Sequence, residues 1–395
     1  MRFFHLSDLH IGKQLYSYNL KDNQQHILKQ IISRVREYRP DAVLIAGDIF
    51  DKSIPSGEAY TVFDEFLTEL SDIHPQIPVM MIAGNHDSAE RLNYASAFLE
   101  KHKIYISVMP PSREEERLKR VTLTDQWGPV DFYLLPFTKP GYVRFLFSEG
   151  KSISYDQAIA ALIERENLKK DRRNVILSHQ FYVSGGQKPE TCQSELAYLS
   201  VGGIDSVEAE RLKDFDYGAL GHLHGSQWVG REQVRYCGTP LKYSVSESRQ
   251  VKSITMVTLE EKGKPPVIET IPLTPLWDVR RILGTMDEIL QQGREETEER
   301  RQDFISITLT DEGEIYHPRE RLQELYPNLL EVRVDNARTR AKLAGREDAG
   351  DIALALDPFQ AFCRFYEEIQ KTPMSSQEEQ VLRQVIEQVS LEGDS

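Results

Sequence analysis

Residues 42–51, with the sequence AVLIAGDIFD, join a short apolar run to a glycine and two acidic residues. The run Ala42–Ala46 predicts a buried β-strand, because it is short, apolar and followed by turn residues. Gly47 allows the backbone to turn tightly, which brings Asp48 to the end of this strand. The predicted fold is therefore based on a buried strand with a polar side chain at its carboxyl end.

Four other segments repeat this arrangement of an apolar run followed by polar residues. Amphipathic helices are predicted at Lys21–Tyr38 and at 56–70, where apolar residues recur at helical spacing. Strands that alternate with helices predict an α/β domain with at least one largely parallel sheet. The other predicted strands are Arg2–Leu6, 79–83, 175–177 and 217–220, and they are followed by Ser7-Asp8-Leu9-His10, Gly84-Asn85-His86-Asp87, Ser178-His179 and Gly221-His222-Leu223-His224.

The side chains at these strand ends have the chemistry of a metal site. Ligands bind at the carboxyl ends of strands in open α/β sheets, so the five motifs are expected to meet at one rim. Carboxylate, carbonyl oxygen and imidazole without thiolate suit manganese, iron or zinc better than calcium. Alternate residues of an extended segment point the same way, so Asp8 and His10, or His222 and His224, can face one site together. Asp48 is the natural carboxylate to bridge two ions.

Length and charge limit the classes of protein that fit. The 395 residues are enough for two or three domains, and 40% hydrophobic with 28% charged residues is typical of a soluble globular protein. The formal net charge of −14 argues against a protein that coats nucleic acid by bulk charge. It does not argue against an enzyme that meets phosphate through divalent cations.

No apolar stretch is long enough to cross a bilayer, and the first residues do not resemble a signal peptide. The chain is therefore expected in the cytoplasm, with no membrane partner. Cys192, Cys237 and Cys363 are odd in number and include no close pair, so they are expected to be reduced and structural.

The second half of the chain predicts a smaller unit and a tail. Prolines near residue 272 mark a boundary, and the predicted domains are 1–275, 276–337 and 338–395. The middle domain is expected to be a smaller α+β unit. Its predicted elements are a strand, a helix at 285–292, a strand at Phe304–Leu309, a helix at 319–325 and a strand at 330–334.

Two apolar stripes at helical spacing follow in the tail. The first begins after Asp357-Pro358, a good N-cap and first-turn pair, and a capping box of Ser375 and Glu378 precedes the second. Such stripes either pack back on the domain as core helices or form a docking surface for a partner helix. The stripes consist of Phe359, Phe362, Phe365, Tyr366 and Ile369, and of Val381, Leu382, Val385, Ile386 and Val389.

The order DxH, GD, GNHD, H and GHxH resembles the signature of the calcineurin-like metallophosphoesterases. Within that superfamily the chain resembles the nuclease subunits of bacterial SbcCD-type complexes, through MRFFHLSDLHIGK, GDIFD and GNHDS followed by Ala-Glu-Arg-Leu. This resemblance covers nearly the whole chain. It implies an αββα sandwich of two packed mixed sheets flanked by helices, a smaller capping domain that binds DNA, and a helical tail that binds an SbcC-type ATPase.

The resemblance also assigns residues to a two-metal site, most often of Mn²⁺, with Mg²⁺, Fe²⁺ or Zn²⁺ possible. His86 matches a histidine that is not a ligand but contacts the phosphate and assists the leaving group. Some relatives carry histidine where this chain has Asp51. The ligands implied for one metal are Asp8, His10, Asp48 and His224, and those for the other are Asp48, Asn85, His179 and His222.

Three functions follow as hypotheses. The first is a DNA nuclease subunit, an ATP-dependent double-strand exonuclease and single-strand or hairpin endonuclease in DNA repair, recombination and replication, working as a homodimer within a heterotetramer. The second is a phosphoprotein phosphatase or small-molecule phosphodiesterase of the same superfamily. The third is an inactive scaffold, against which the complete ligand set argues. The role of Asp87 stays open between orienting His86 and supporting the turn.

Overall fold

Two mixed six-stranded sheets lie face to face in the first part of the chain. The structure is a computed structural model that describes residues 1–148, 152–195, 205–344, 358–370, 372–375, 377–379 and 381–383. Two short hairpin strands, β2 (Gln14–Leu15) and β3 (Tyr18–Asn19), follow the first motif.

The first sheet has four parallel strands in its centre and at one edge, and two antiparallel strands at the other edge. In spatial order its strands are β16 (Val267–Pro272), β15 (Ser253–Thr258), β1 (Arg2–Leu6), β4 (Ala42–Ala46), β5 (Val79–Ile82) and β6 (Ile104–Ser107).

The second sheet has the same mixed character, with four parallel inner strands between two antiparallel edges. Its spatial order is β13 (Gln227–Val229), β14 (Arg231–Tyr236), β12 (Tyr217–Gly221), β9 (Arg173–His179), β8 (Gly128–Leu135) and β7 (Lys119–Asp125). A separate parallel pair joins β10 (Phe181–Val183) and β11 (Ser206–Glu208).

Helices cover the outer face of each sheet. On the first sheet lie α1 (Lys21–Tyr38) and α2 (Gly57–Ser71), and on the second lies α5 (Tyr155–Glu164). The helix α2 begins one residue later than predicted, because Ser56 is its N-cap and accepts a hydrogen bond from the Ala59 N–H at 3.2 Å. Two short helices, α3 (Ala89–Leu92) and α4 (Ser96–Lys101), follow the third motif.

The side chains of strand β4 pack alternately into two hydrophobic cores. All five of its residues are buried, with Val43 and Ile45 in the core beneath α1 and α2, and Leu44 in the core between the sheets. Alternate side chains of a strand point to opposite faces, so a continuous apolar run is required here. The predicted αββα sandwich is confirmed.

The smaller unit has three parallel strands, β17 (Val279–Gly284), β18 (Phe304–Leu309) and β19 (Leu329–Val334). The five predicted elements occur in the predicted order, and a short helix that was not predicted lies between the first helix and the second strand. Thr285 is the N-cap of the first helix and forms a capping box with Glu288. The helices are α6 (Met286–Glu295), α7 (Glu298–Arg301), α8 (Pro318–Gln323) and α9 (Ala337–Ala344).

The first tail stripe lies on the helix α10 (Pro358–Gln370), as predicted. Phe362, Phe365 and Ile369 are exposed on it, so these side chains do not enter a core within the part of the chain that the structure describes. The capping box is also confirmed, since the Glu378 carboxylate accepts from the Ser375 N–H at 2.8 Å. The part of the second stripe from Val385 onward lies outside the described residues.

None of the described helices is long and apolar enough to span a membrane. The three cysteines are free thiols, as expected.

Asn23 on α1 fixes the chain where the smaller unit begins. Its Oδ1 accepts from the backbone N–H groups of Leu276 and Trp277 at 2.8 and 3.0 Å, and its Nδ2 donates to the Trp277 carbonyl at 2.7 Å. The Trp277 ring packs edge-on against Phe304, which belongs to the core under α1. The smaller unit is therefore held against the first sheet's helical layer.

We expect Asn23→Ala to lower the free energy of unfolding by about 2 kcal/mol, because it leaves three partly buried backbone groups without this partner. Urea denaturation measures the change. Lys29→Ala, at an exposed position of the same helix, is the control and should stay within about 0.5 kcal/mol of wild type. A loss no larger than that of the control would contradict this role of Asn23.

Candidate metal centre

The five motifs meet at one edge of the sandwich. The first sheet contributes the residues after β1, β4 and β5, and the second contributes the end of β9 and the residues after β12. The structure brings together all eight side chains that the sequence singled out, and all but Asn85 are buried. They are Asp8, His10, Asp48, Asn85, His86, His179, His222 and His224.

Two histidines join the sheets below this rim. The Nδ1–H of His179, the last residue of β9, donates to the carbonyl of Ala46 at the end of β4 at 2.7 Å. The ring of His5 contacts the Tyr217 hydroxyl at 3.0 Å and the Leu220 carbonyl at 3.1 Å. Both ring nitrogens of the buried His5 therefore have hydrogen-bond partners.

Glycines before three of the motifs allow this close approach. A Cβ on Gly221 would lie 1.8 Å from the Ala46 carbonyl oxygen, and one on Gly84 would lie 2.1 Å from Asp48 Oδ1. Only Gly47, with φ +89°, also needs the left-handed backbone. Gly84 and Gly221 are therefore required because a Cβ has no space there, and not because of their backbone conformation.

Four candidate ligands adopt a left-handed backbone that residues other than glycine rarely adopt. The φ angles are 52° at Asp8, 43° at His10, 49° at Asp48 and 105° at His222. Each such residue costs about 1–3 kcal/mol and persists only where the surrounding structure enforces it. Their concentration in one place supports a functional site.

The first group of side chains consists of Asp8, His10 and His224. One potential ligand atom of each lies within 4.8 Å of the other two. The Nε2 atoms of His10 and His224 are 3.2 Å apart, and His10 Nε2 is 3.7 Å from Asp48 Oδ2. With Asp48, these three side chains are the ones that the resemblance implies as ligands of one metal.

The second group is centred on Asn85. Its Oδ1 lies 2.9 Å from His222 Nδ1 and 3.1 Å from His179 Nε2. His179 Nε2 is in turn 3.3 Å from Asp48 Oδ2. Asp48 Oδ2 is thus near both groups, as a bridging carboxylate would be.

His86 lies at the margin of the cluster, with its Nε2 4.0 Å from Asp48 Oδ2. Its Nδ1–H donates to the backbone carbonyl of Asp51 at 2.7 Å, so its Nε2 is directed toward the carboxylate. The Asp51 side chain forms an ion pair with Lys13 at 2.7 Å.

Asp87 supports the turn. Its carboxylate accepts from the backbone N–H groups of Ile49, Phe50 and Gly84 at 2.9–3.1 Å. Between the two roles left open by the sequence, the structure favours the one in the turn, and the Asp51 carbonyl is the group that orients His86.

Burial and neighbouring charges shift the pKa values of Asp8, Asp48 and His179. Burial raises the pKa of Asp8 to about 6, although His179 acts against this. Burial acts to lower the pKa of His179, but Asp48 raises it to about 9. Burial acts to raise the pKa of Asp48, yet His179 and His86 bring it well below its usual value. The cluster therefore retains a proton at neutral pH in the absence of a cation.

This donor set fits divalent cations. Two buried carboxylates close together need positive charge, and the oxygen and imidazole ligands around them, without thiolate, are those of manganese, iron or zinc. His10, Asp48 and His86 also form a possible ligand group within 4.8 Å. His86 therefore lies within ligand distance of His10 and Asp48.

Sequence reasoning missed a second ring of polar residues around His224. Ser194, Glu195 and Glu247 contact its ring or its backbone, and Lys252 donates to its carbonyl. They lie up to 30 residues from His224 along the chain, and the residues beside them form no recognisable motif.

Comparisons with known proteins agree with this geometry. The sequence profile of the calcineurin-like phosphoesterases matches residues 1–226, and that of the type 5 capsule protein repressor C-terminal domain matches residues 275–370. The SbcD component of nuclease SbcCD from Staphylococcus epidermidis is 31% identical over 333 residues, which are 84% of each chain. The protein of the same name from Staphylococcus saprophyticus is 30% identical over 332 residues, also 84% of each.

Solved structures show weaker likeness. GAP50, the anchor in the inner membrane complex of Plasmodium, is 15% identical with a TM-score of 0.37, over 69% of this chain and 89% of its own. This likeness is too slight to inform the site.

Gly221→Ala should disrupt the centre, because the added Cβ has no space beside the Ala46 carbonyl. We expect it to destabilise the protein by about 3 kcal/mol or more and to weaken Mn²⁺ binding. Gly218→Ala on the same strand is the matched control, since its Cβ would approach nothing closer than a leucine methyl at 3.3 Å. Thermal unfolding and Mn²⁺ titration compare the two, and equal behaviour would refute the close-approach argument.

Mn²⁺ binding at pH 7 should release at least one proton. His179, whose pKa is raised to about 9, is protonated at this pH and must become neutral to act as a ligand. The apparent affinity should therefore rise by about tenfold per pH unit between pH 7 and 9 and level off above. Calorimetry in buffers of different ionisation enthalpy measures the released protons, and a result near zero would be inconsistent with His179 as a ligand.

Proposed function

The chain belongs to the calcineurin-like phosphoesterase family, in the group that contains the SbcD components of nuclease SbcCD, and we propose that it is the metal-dependent nuclease subunit of an SbcCD-type complex. The observation that carries the proposal is a complete cluster of eight site residues in a chain whose similarity to these nucleases extends over 84% of its length. That similarity includes the smaller unit, which a minimal phosphatase does not need.

We propose that Asp8, His10, Asp48 and His224 hold one cation, and that Asp48, Asn85, His179 and His222 hold the other. Mn²⁺ is the ion we favour, because the ligand set combines carboxylate, amide oxygen and imidazole. When bound, two such cations would neutralise the charge of a phosphodiester and make a water molecule more acidic.

The chain's own residues then act on the substrate. The Asp51 carbonyl holds the His86 ring so that its Nε2 is available to the phosphate and to the departing sugar oxygen. A proton at this Nε2 can pass to the leaving oxygen, which would otherwise depart as an alkoxide. Asp87 keeps the segment before His86 in place through its three backbone hydrogen bonds.

The proposed substrate is DNA. We propose ATP-dependent exonuclease activity on double-stranded ends and endonuclease activity on single strands and hairpins, in DNA repair, recombination and replication. A DNA substrate of this kind would place the protein in the cytoplasm. We propose three domains. The domain of residues 1–275 cleaves DNA, and the domain of residues 276–337 caps the site and contacts DNA. Residues 338–395 link the chain to the partner.

The partner is an SbcC-type ATPase, in a heterotetramer built on a homodimer of this chain. The exposed apolar residues of α10 support docking on the partner, because no core formed by the described residues takes them up.

His86→Gln should lower Mn²⁺-dependent cleavage of linear duplex DNA by about 100-fold or more, because the leaving oxygen loses its proton donor. The exposed His102→Gln is the matched control and should cleave at the wild-type rate. A phosphoserine peptide tested in parallel distinguishes the alternative function. Activity on the peptide alone would replace the nuclease by a phosphatase, and full DNA cleavage by His86→Gln would remove His86 from the mechanism.

Removal of residues 351–395 should abolish co-purification with the co-expressed ATPase, while Mn²⁺-dependent hydrolysis of a simple phosphodiester persists. Phe365→Glu in the full-length chain is the finer test, since it changes one exposed apolar side chain of α10. Gln370→Glu adds the same charge at the end of the helix and should bind as wild type. Binding retained by the truncated chain would disprove the docking role.

A further inference from the structure

His224 is fixed from its backbone as well as from its ring. Its backbone N–H donates to Glu195, and its carbonyl accepts from Lys252 Nζ at 2.9 Å and from the Thr239 N–H at 3.1 Å. Its ring Nε2 lies 3.2 Å from His10 Nε2, inside the candidate ligand group. The remaining ring atom that can hydrogen bond, Nδ1, points away from that group toward Ser194.

Ser194 lies between His224 and a buried carboxylate. Its Oγ is 2.8 Å from His224 Nδ1 and 3.0 Å from Glu247 Oε1. The same Glu247 oxygen is 3.5 Å from His224 Nδ1, too far for a good direct hydrogen bond. The hydroxyl therefore connects the imidazole to the carboxylate.

Glu247 is held as an ionised acceptor. It is fully buried, and Lys252 Nζ lies 2.6 Å from its Oε2. Its Oε1 also accepts from the Ser244 hydroxyl at 2.8 Å and from the Tyr243 N–H at 3.2 Å. A buried carboxylate with an ammonium and several donors around it has no proton to give.

The direction of the hydrogen bonds follows from this charge. Because Glu247 can only accept, Ser194 must donate its single proton to Glu247. The Ser194 oxygen then accepts, so His224 must carry its proton on Nδ1. The lone pair of the neutral imidazole is left on Nε2, the atom that faces His10.

We infer that Ser194 and Glu247 are positioning residues that fix the tautomer and orientation of His224 so that its Nε2 can bind a metal ion. Outer partners of this kind commonly change metal affinity by about 10–100-fold. The inference rests on the proposed metal centre but not on the DNA substrate, so Mn²⁺ affinity tests it whether or not DNA is cleaved.

The hydrogen bonds that run from His224 through Ser194 to Glu247 are called the relay below. Two substitutions test the relay in different ways. Ser194→Ala removes the link, and Glu247→Gln allows the amide to donate to Ser194, which would reverse the hydrogen bonds and place the His224 proton on Nε2. We expect either variant to lose about 10–100-fold in Mn²⁺ affinity at one of two sites, measured by calorimetric titration of the full-length chain. Ser194→Thr keeps the hydroxyl and should restore the affinity.

Ser246→Ala is the matched control. The Ser246 hydroxyl accepts from the Gln193 N–H at 3.0 Å and contacts Ser244 Oγ at 2.7 Å, so it supports the same segment. If Ser246→Ala loses as much affinity as Ser194→Ala, packing of the segment rather than the relay is responsible, and the inference is wrong. Wild-type affinity in Ser194→Ala would also overturn it.

The tautomer itself can be read in the metal-free protein. Nitrogen NMR of ¹⁵N-histidine at pH 9, with the His224 signal identified by its loss in His224→Gln, should show a protonated Nδ1 in wild type and in Ser246→Ala. A protonated Nε2 in wild type would contradict the inference. Should Glu247→Gln fail to fold, Ser194→Ala and this spectrum decide the question without it.

Discussion

The contact between two strand ends, Ala46 on β4 and Gly221 on β12, sets the geometry of the centre. The space beside the Ala46 carbonyl is so limited that a Cβ on Gly221 would lie 1.8 Å from its oxygen. The same carbonyl accepts the His179 Nδ1–H, which turns the other ring nitrogen toward Asp48. Ligands from both sheets can therefore surround one carboxylate only because the sheets approach this closely at the rim.

The geometry of this centre lowers the stability of the folded chain, but it serves the proposed reaction. Asp8, His10 and Asp48 adopt left-handed backbone conformations, and their side chains are buried. The surrounding hydrophobic cores enforce this arrangement, as they fix the strands from which these residues project. Divalent cations would relieve the repulsion between the two carboxylates, which links the proposed activity to the stability of the rim.

Much of this organisation could be predicted from local sequence. The apolar run Ala42–Ala46 is a buried strand, and the polar residues after such runs meet at one edge, because parallel strands end together. The relay from His224 to Glu247 could not be predicted, since Ser194 and Glu247 are 53 residues apart and neither lies in a recognisable motif. The role of Asp87 likewise depended on backbone geometry, because its partners are N–H groups that every sequence contains.

We propose that the two cation sites share Asp48 and that His86 is not a ligand of either. Anomalous diffraction from crystals grown with Mn²⁺ tests it most directly. We expect two peaks, one bounded by Asp8, His10 and His224 and the other by Asn85, His179 and His222, both in contact with the Asp48 carboxylate. A single peak, or a peak coordinated by His86 Nε2, would contradict it.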